Sequence, residues 1–151
     1  MGETIQSLRE KGICPTCYHW EHGGIFEDIS DKILYEDDLL QCFFEVRPRS
    51  VGHTIILLKK HYQDMSFIPD DVCAAVYVFA KKAMNVLKEV LGVKRVYLCT
   101  MCDTPGNHFH IQLIPRHPGT PNGSINFVKE RMDYAESENH LNMIREKLKQ
   151  G

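Results

Sequence analysis

The sequence predicts an α+β fold: several short strands, one long helix set among them, and a helix at the C-terminus. Three observations point there. His108, His110 and Gln112 alternate with Phe109, Ile111 and Leu113, the period of a strand with one polar face. Apolar residues between Pro69 and Leu91 recur at helical spacing. The remaining apolar runs are short and do not alternate with helices, as a βαβ series would require.

Taken in order, residues 4 to 11 suit a short polar helix stopped by Gly12. Cys14-Pro15-Thr16-Cys17 reads as a tight turn, with His19, Trp20 and His22 in a loop closed by Gly23-Gly24. "KILYEDDLLQCFFEV" reads as a hairpin: Ile33 to Tyr35, an acidic turn at Glu36 to Asp38, then a strand through Phe44. "RPRSVGH" is a loop because of Pro48 and Gly52, and "HTIILLKKH" is a β-branched, apolar strand. In the long helix, Asp70 and Asp71 suit the positive N-terminal end and Gly92 suits the residue past the C-terminus. Val72, Val76, Phe79, Ala83, Val86 and Val90 make its apolar stripe, leaving Lys81, Lys82 and Lys88 outward. "KRVYLCTM" is the next strand, turning at Asp103 to Gly106 into the histidine strand. From Glu138 to Gln150, Leu141, Ile144 and Leu148 mark an amphipathic helix.

Length, 43% hydrophobic and 25% charged residues fit one globular domain over residues 1–151, without repeat or linker. A formal charge of -2 gives no reason to expect nucleic-acid or membrane binding. The charged N-terminus lacks the apolar core of a signal peptide, and no apolar run approaches the roughly 20 residues that span a bilayer. Its sixth residue does not favour myristoylation. Six cysteines in no secreted framework fit a reducing, cytoplasmic setting.

Two CxxC pairs, Cys14/Cys17 and Cys99/Cys102, raise the question of a four-cysteine zinc site. Cys99 and Cys102 fall in an expected strand, where an offset of three sends side chains to opposite faces, so they read mainly as core thiols. Cys14 and Cys17 flank a proline and can converge on one ion; a redox pair is the alternative. Two further ligands are needed. His19 and His22 could complete a local site, whereas His53 and His61, about 26 Å apart if extended, cannot both serve one ion. His108 and His110 could chelate a catalytic metal, but Gln112, next on that face, is a poor zinc ligand. Covalent chemistry is the other use of that face, because a neutral imidazole is a good nucleophile toward phosphorus.

His108-Phe109-His110-Ile111-Gln112-Leu113-Ile114, followed by Pro115-Arg116, resembles the histidine-triad motif with its third histidine replaced by glutamine. "YEDDLLQCFFEVRPRSVGHTIILLKKHYQDM" is similar to that family's nucleotide-binding half. The resemblance implies a HIT-like fold, with an antiparallel sheet of about five strands. It implies structural zinc on Cys14, Cys17, His61 and His108. It also implies that His110 attacks the α-phosphate of a nucleotide, with Gln112 offering its amide to a phosphate oxygen and His53 supporting the wall. Phe43 and Val46 would line the base pocket, Glu45 would meet the ribose, and Asn107 would join the nucleotide-binding residues. Phe44 is the member of the Phe43-Phe44 pair expected in the core. His117 and His140, outside the motif, read as surface residues.

The family implies a small-molecule nucleotide substrate, such as a dinucleoside polyphosphate or nucleoside phosphoramidate, and a homodimer. Its hydrolases usually carry His at the position of Gln112, and its transferase branches carry Gln. Hydrolase and transferase chemistry therefore both stay open, as does a non-catalytic nucleotide-binding module holding structural zinc.

Overall fold

Strands β1 (Ile33–Glu36), β2 (Leu40–Phe44), β3 (Thr54–Leu58), β4 (Arg95–Cys99) and β5 (His110–Arg116) make one antiparallel sheet in the order β1-β2-β3-β5-β4. The computed structural model describes residues 2–150. The β1–β2 hairpin closes through Asp37, whose carboxylate accepts from Leu39 N–H (2.8 Å) and Leu40 N–H (2.9 Å). The expected acidic turn therefore works by a side chain capping the backbone.

Register sorts side chains onto two faces, because the strand period is two. Leu40, Cys42 and Phe44 of β2, Ile56 and Leu58 of β3, and Ile111 and Leu113 of β5 point into the core. The opposite face carries Phe43 paired with Ile55, Leu57 with His110, and Gln112 with both Ile55 and Cys99. Phe44 is in the core and Phe43 only half-buried, so the two aromatics divide as expected.

Helix α3 (Asp70–Leu91) covers the core face, packed beside α4 (Glu138–Lys149). Gly92 ends α3 in the left-handed conformation, φ 68°. Val76, Ala83 and Val86 of the predicted stripe are buried; Val72, Phe79 and Val90 are half-buried at its margins. Ala80 and Leu87 fill its centre instead. Lys82 does not point outward. Its Nζ donates to the carbonyls of Leu148 (2.8 Å) and Gln150, the unpaired C-terminal carbonyls of α4.

Three further expectations are corrected. The stretch expected as a turn and loop is helix α2 (Pro15–His22), which follows α1 (Ile5–Glu10). Pro15 at its first position presets the backbone, and Cys14 caps it by accepting from Cys17 N–H at 3.4 Å. β4 ends at Cys99, leaving Cys102 exposed beyond it, so the second CxxC is not a pair of core thiols. β5 lies between two strands, and its residues from Ile111 to Pro115 are buried whichever face they take.

After the 3₁₀ turn Ser124–Phe127, an irregular segment over residues 128–137 runs beside the loop 45–52. Arg49 Nη1 donates to Lys129 O (2.6 Å), Arg131 Nη1 to Arg47 O (2.9 Å), and Met132 N–H to Pro48 O (2.7 Å). Gly52 N–H donates to the Glu136 carboxylate (2.8 Å). Gly52 has φ 88°, and a Cβ there would lie 2.3 Å from Leu91 Cδ1; only glycine fits beneath α3 at this turn. His117 is tied to the same loop, with Nε2 2.8 Å from Val51 O, and is half-buried, as is His140. Neither is a free surface residue. No helix among the described residues is long and apolar enough to cross a membrane.

Candidate functional site

Cys14, Cys17, His61 and His108 present ligand atoms that all lie within 4.8 Å of one another. Each comes from a different local device. Cys14 caps α2 and Cys17 sits in its first turn, His61 follows β3, and His108 precedes β5. The β3–β5 ladder brings the two histidines together: their Nδ1 atoms are 3.3 Å apart. His108 Nδ1 is 3.5 Å from both sulfurs, and Cys17 Sγ is 3.5 Å from His61 Nδ1.

These separations fit one tetrahedral ion. Zinc bonds of about 2.05 Å to nitrogen and about 2.3 Å to sulfur give N–N edges of about 3.3 Å and N–S edges of about 3.5 Å. His108 is also oriented for the purpose. Its Nε2–H donates to Leu58 O at 2.5 Å, leaving the Nδ1 lone pair facing the other ligands, and burial lowers its pKa so that it stays neutral. Burial and the neighbouring Cys14 push the Cys17 thiol up to about 12. Two thiolates need a cation between them. The four residues thus form a candidate metal site with a sulfur–nitrogen donor set. The local rival fails on His19, whose Nδ1 accepts from Ile25 N–H and Phe26 N–H, both at 3.2 Å.

Two residues along the strand, His110 Nδ1 donates to His108 O at 2.9 Å. That bond fixes the tautomer and leaves the Nε2 lone pair unengaged. His110 is half-buried on the face it shares with Gln112. Gln112, 6% exposed, accepts at Oε1 from His53 Nε2–H over 2.9 Å. The assignment follows from the other ring nitrogen, because His53 Nδ1 accepts from Arg49 N–H at 3.0 Å. With Oε1 taken, the Gln112 amide has its N–H donors left to offer. His53 is fully buried, and burial pushes it down to about 4, so it is neutral at pH 7.

Glu45 continues β2 toward this end of the sheet. Its N–H donates to His53 O (2.9 Å), and its carboxylate accepts from Val46 N–H (3.0 Å) and lies 3.6 Å from Arg131. Val46 is half-buried beside it. Asn107 is set apart, before β5: its Nδ2 donates to Gln63 O (2.6 Å), tying the loop after His61 to the turn before His108. Sequence reasoning missed the cations Arg49, Lys129 and Arg131, and no local motif marks them. It also missed that the Trp20 ring stands edge-on to His108, centroids 5.3 Å apart, and that Cys99 faces the site opposite Gln112.

The HIT domain family matches residues 27–119. An uncharacterised HIT-like protein of Methanocaldococcus jannaschii is 33% identical over 96 residues, 61% of this chain and 74% of that protein. An adenylylsulfatase of Arabidopsis thaliana is 31% identical over 87 residues, 55% of this chain and 44% of its own length. Among solved structures, a Zn-bound histidine triad family protein from Mycobacterium smegmatis shares the fold, with a TM-score of 0.67 at 20% identity, over 90% of this chain and 93% of that one. The family match spans more than half the sequence and contains His53, His61, His108, His110 and Gln112. The chain belongs to the HIT domain family.

Proposed function

We propose that this protein is a nucleotidyl hydrolase or transferase acting at the α-phosphate of a nucleotide through a covalent intermediate on His110. The observation that carries the reading is the unengaged Nε2 of His110, held beside the Gln112 amide by the bond from Nδ1 to His108 O. A bond forms from Nε2 to the α-phosphorus as the bond from phosphorus to the leaving group breaks, the electron pair leaving with that group. The imidazole then carries positive charge, which the His108 carbonyl stabilises through Nδ1–H. An acceptor oxygen displaces the nucleotide from His110 in the second step.

In this reading Gln112 donates to a non-bridging phosphate oxygen, and His53 holds that amide in place by occupying Oε1. Phe43, Val46 and Glu45 serve the nucleoside, the last meeting the ribose hydroxyls, and Asn107 is a further nucleotide-binding residue at the opposite end of β5, where its Nδ2 donates to Gln63 O. Zinc on Cys14, Cys17, His61 and His108 would fix the strand that carries the nucleophile. An adenylylsulfatase relative supports cleavage of a phosphoric–sulfuric anhydride at a nucleotide; dinucleoside polyphosphates and phosphoramidates are the other substrates of this reading. Gln112 cannot act as an acid, so phosphate or a sugar phosphate competes with water as acceptor. The reading includes a homodimer and a cytoplasmic setting, the latter supported by six cysteines outside any disulfide.

The test is intact mass after incubation with diadenosine tetraphosphate. A nucleotidyl adduct in the wild type that is absent from His110→Ala is the expected result. Absence of adduct and of turnover across a nucleotide panel would overturn the proposal, and unchanged nucleotide binding by His110→Ala would then mark a binding module.

A further inference from the structure

We propose that Arg49, Lys129 and Arg131 form a second anion subsite at the Gln112 end of the site, selecting substrates whose leaving group carries its own phosphate or sulfate. The inference rests on the nucleotidyl reading and names the part of the substrate that reading leaves open. Lys129 and Arg131 lie beyond residues 27–119, outside the region matched by the family. They are a property of this chain's irregular segment.

That segment is held against the site by side chain and backbone together. Arg49 Nη1 donates to Lys129 O, Arg131 Nη1 to Arg47 O, and Met132 N–H to Pro48 O. The Arg49 N–H is one hydrogen bond from His53, and His53 is one hydrogen bond from Gln112. All three cations act on His53, adding to the burial that lowers it, which is the electrostatic sign of their nearness.

The charges are not balanced. Among the described residues, Glu45 is the one carboxylate at ion-pair distance from the three, 3.6 Å from Arg131. Arg49 and Arg131 also act on each other as like charges. Arg49 Nε is buried without a hydrogen-bond partner, a costly state for a charged donor. An anion seated beside the accessible Arg131 side chain would relieve the repulsion.

Position supplies the direction. Along the strand lie the metal group at His108, the nucleophile at His110, the amide at Gln112, and then the cations around His53. An α-phosphate between His110 and Gln112 has the His108 metal group on one side and the cations on the other. An anionic leaving group gains from the cationic side, whereas a neutral amine gains nothing there.

The test compares wild type with the double variant Lys129→Ala/Arg131→Ala, both substitutions on the irregular segment. The readout is kcat/KM for diadenosine tetraphosphate and for adenylyl sulfate, each divided by that for adenosine phosphoramidate. Either ratio should fall about tenfold or more, the loss of one charge-assisted contact, and the two anhydrides separate phosphate from sulfate as the anion. Unchanged ratios for both anhydrides would overturn the subsite. Should the wild type turn over none of the three, the nucleotidyl reading fails by itself, and calorimetry with inorganic pyrophosphate decides the subsite. Affinity weakened about tenfold in the double variant would support it; equal affinity, or no binding by the wild type, would overturn it.

Discussion

His53 is buried and neutral, and stability must fall when acid forces a proton onto it. In the unfolded chain an imidazole titrates near 6.5. In the folded protein, burial and then the surrounding cations move His53 to about 4, against the opposing pull of its bond to Gln112. The unfolded state therefore takes up the proton first. The contribution is fully present above about pH 6.5, declines by about 1.4 kcal/mol per pH unit below it, and levels off beneath about pH 4. By pH 5 the loss is about 2 kcal/mol. Urea unfolding of wild type and His53→Gln between pH 8 and pH 5 isolates this contribution. Subtracting one series from the other removes proton uptake common to both, including that of the metal ligands. The wild-type advantage should shrink by about 2 kcal/mol across that range. An advantage constant to about 0.5 kcal/mol would refute the lowered His53 pKa that burial imposes.

Cys14→Ala removes a ligand and a helix cap together; zinc content should drop and stability fall by about 3 kcal/mol, a Tm loss of roughly 10 °C. Unchanged metal content and Tm would contradict the metal site, and chelation of the wild type should lower Tm in the same direction. Phe44→Ala, in the core, should cost about 3–5 kcal/mol in urea unfolding. Phe43→Ala, half-buried on the other face, should cost under about 2 kcal/mol and raise KM for the nucleotide instead.

The sequence was most legible where one element answers to its own residues. α3 is such a case, since its apolar spacing, Asp70 and Asp71, and Gly92 all lie within the helix or at its ends. That Phe43 and Phe44 take opposite faces followed from strand period, and the resemblance chose Phe43 for the site. The stretch from Pro15 to His22 was misjudged because its punctuation, Cys-Pro before and Gly-Gly after, suits a turn as well as a capped helix. Chemistry alone left two zinc ligand sets open, and the family resemblance chose between them. The fold agrees with that choice, because His19 is spent on the backbone amides of Ile25 and Phe26. The cation cluster was illegible for a different reason. Arg49 meets Lys129 across 80 positions of sequence, through a backbone carbonyl that no residue pattern reveals.

The dispersion of the four metal ligands has a kinetic consequence. Cys14 and His108 are 94 positions apart, and His61 and His108 are 47 apart. The two histidines meet only after β3 has paired with β5, and the cysteines only after α2 has docked on that pair. An ion gripped by all four can hold little of its final free energy while the chain is still collapsing. Its effect falls on the exit from the native state rather than on the approach to it: it slows unfolding and leaves the folding rate nearly unchanged. The site acts as a latch closed last, and the working life of strand β5 is then set by how long that latch holds.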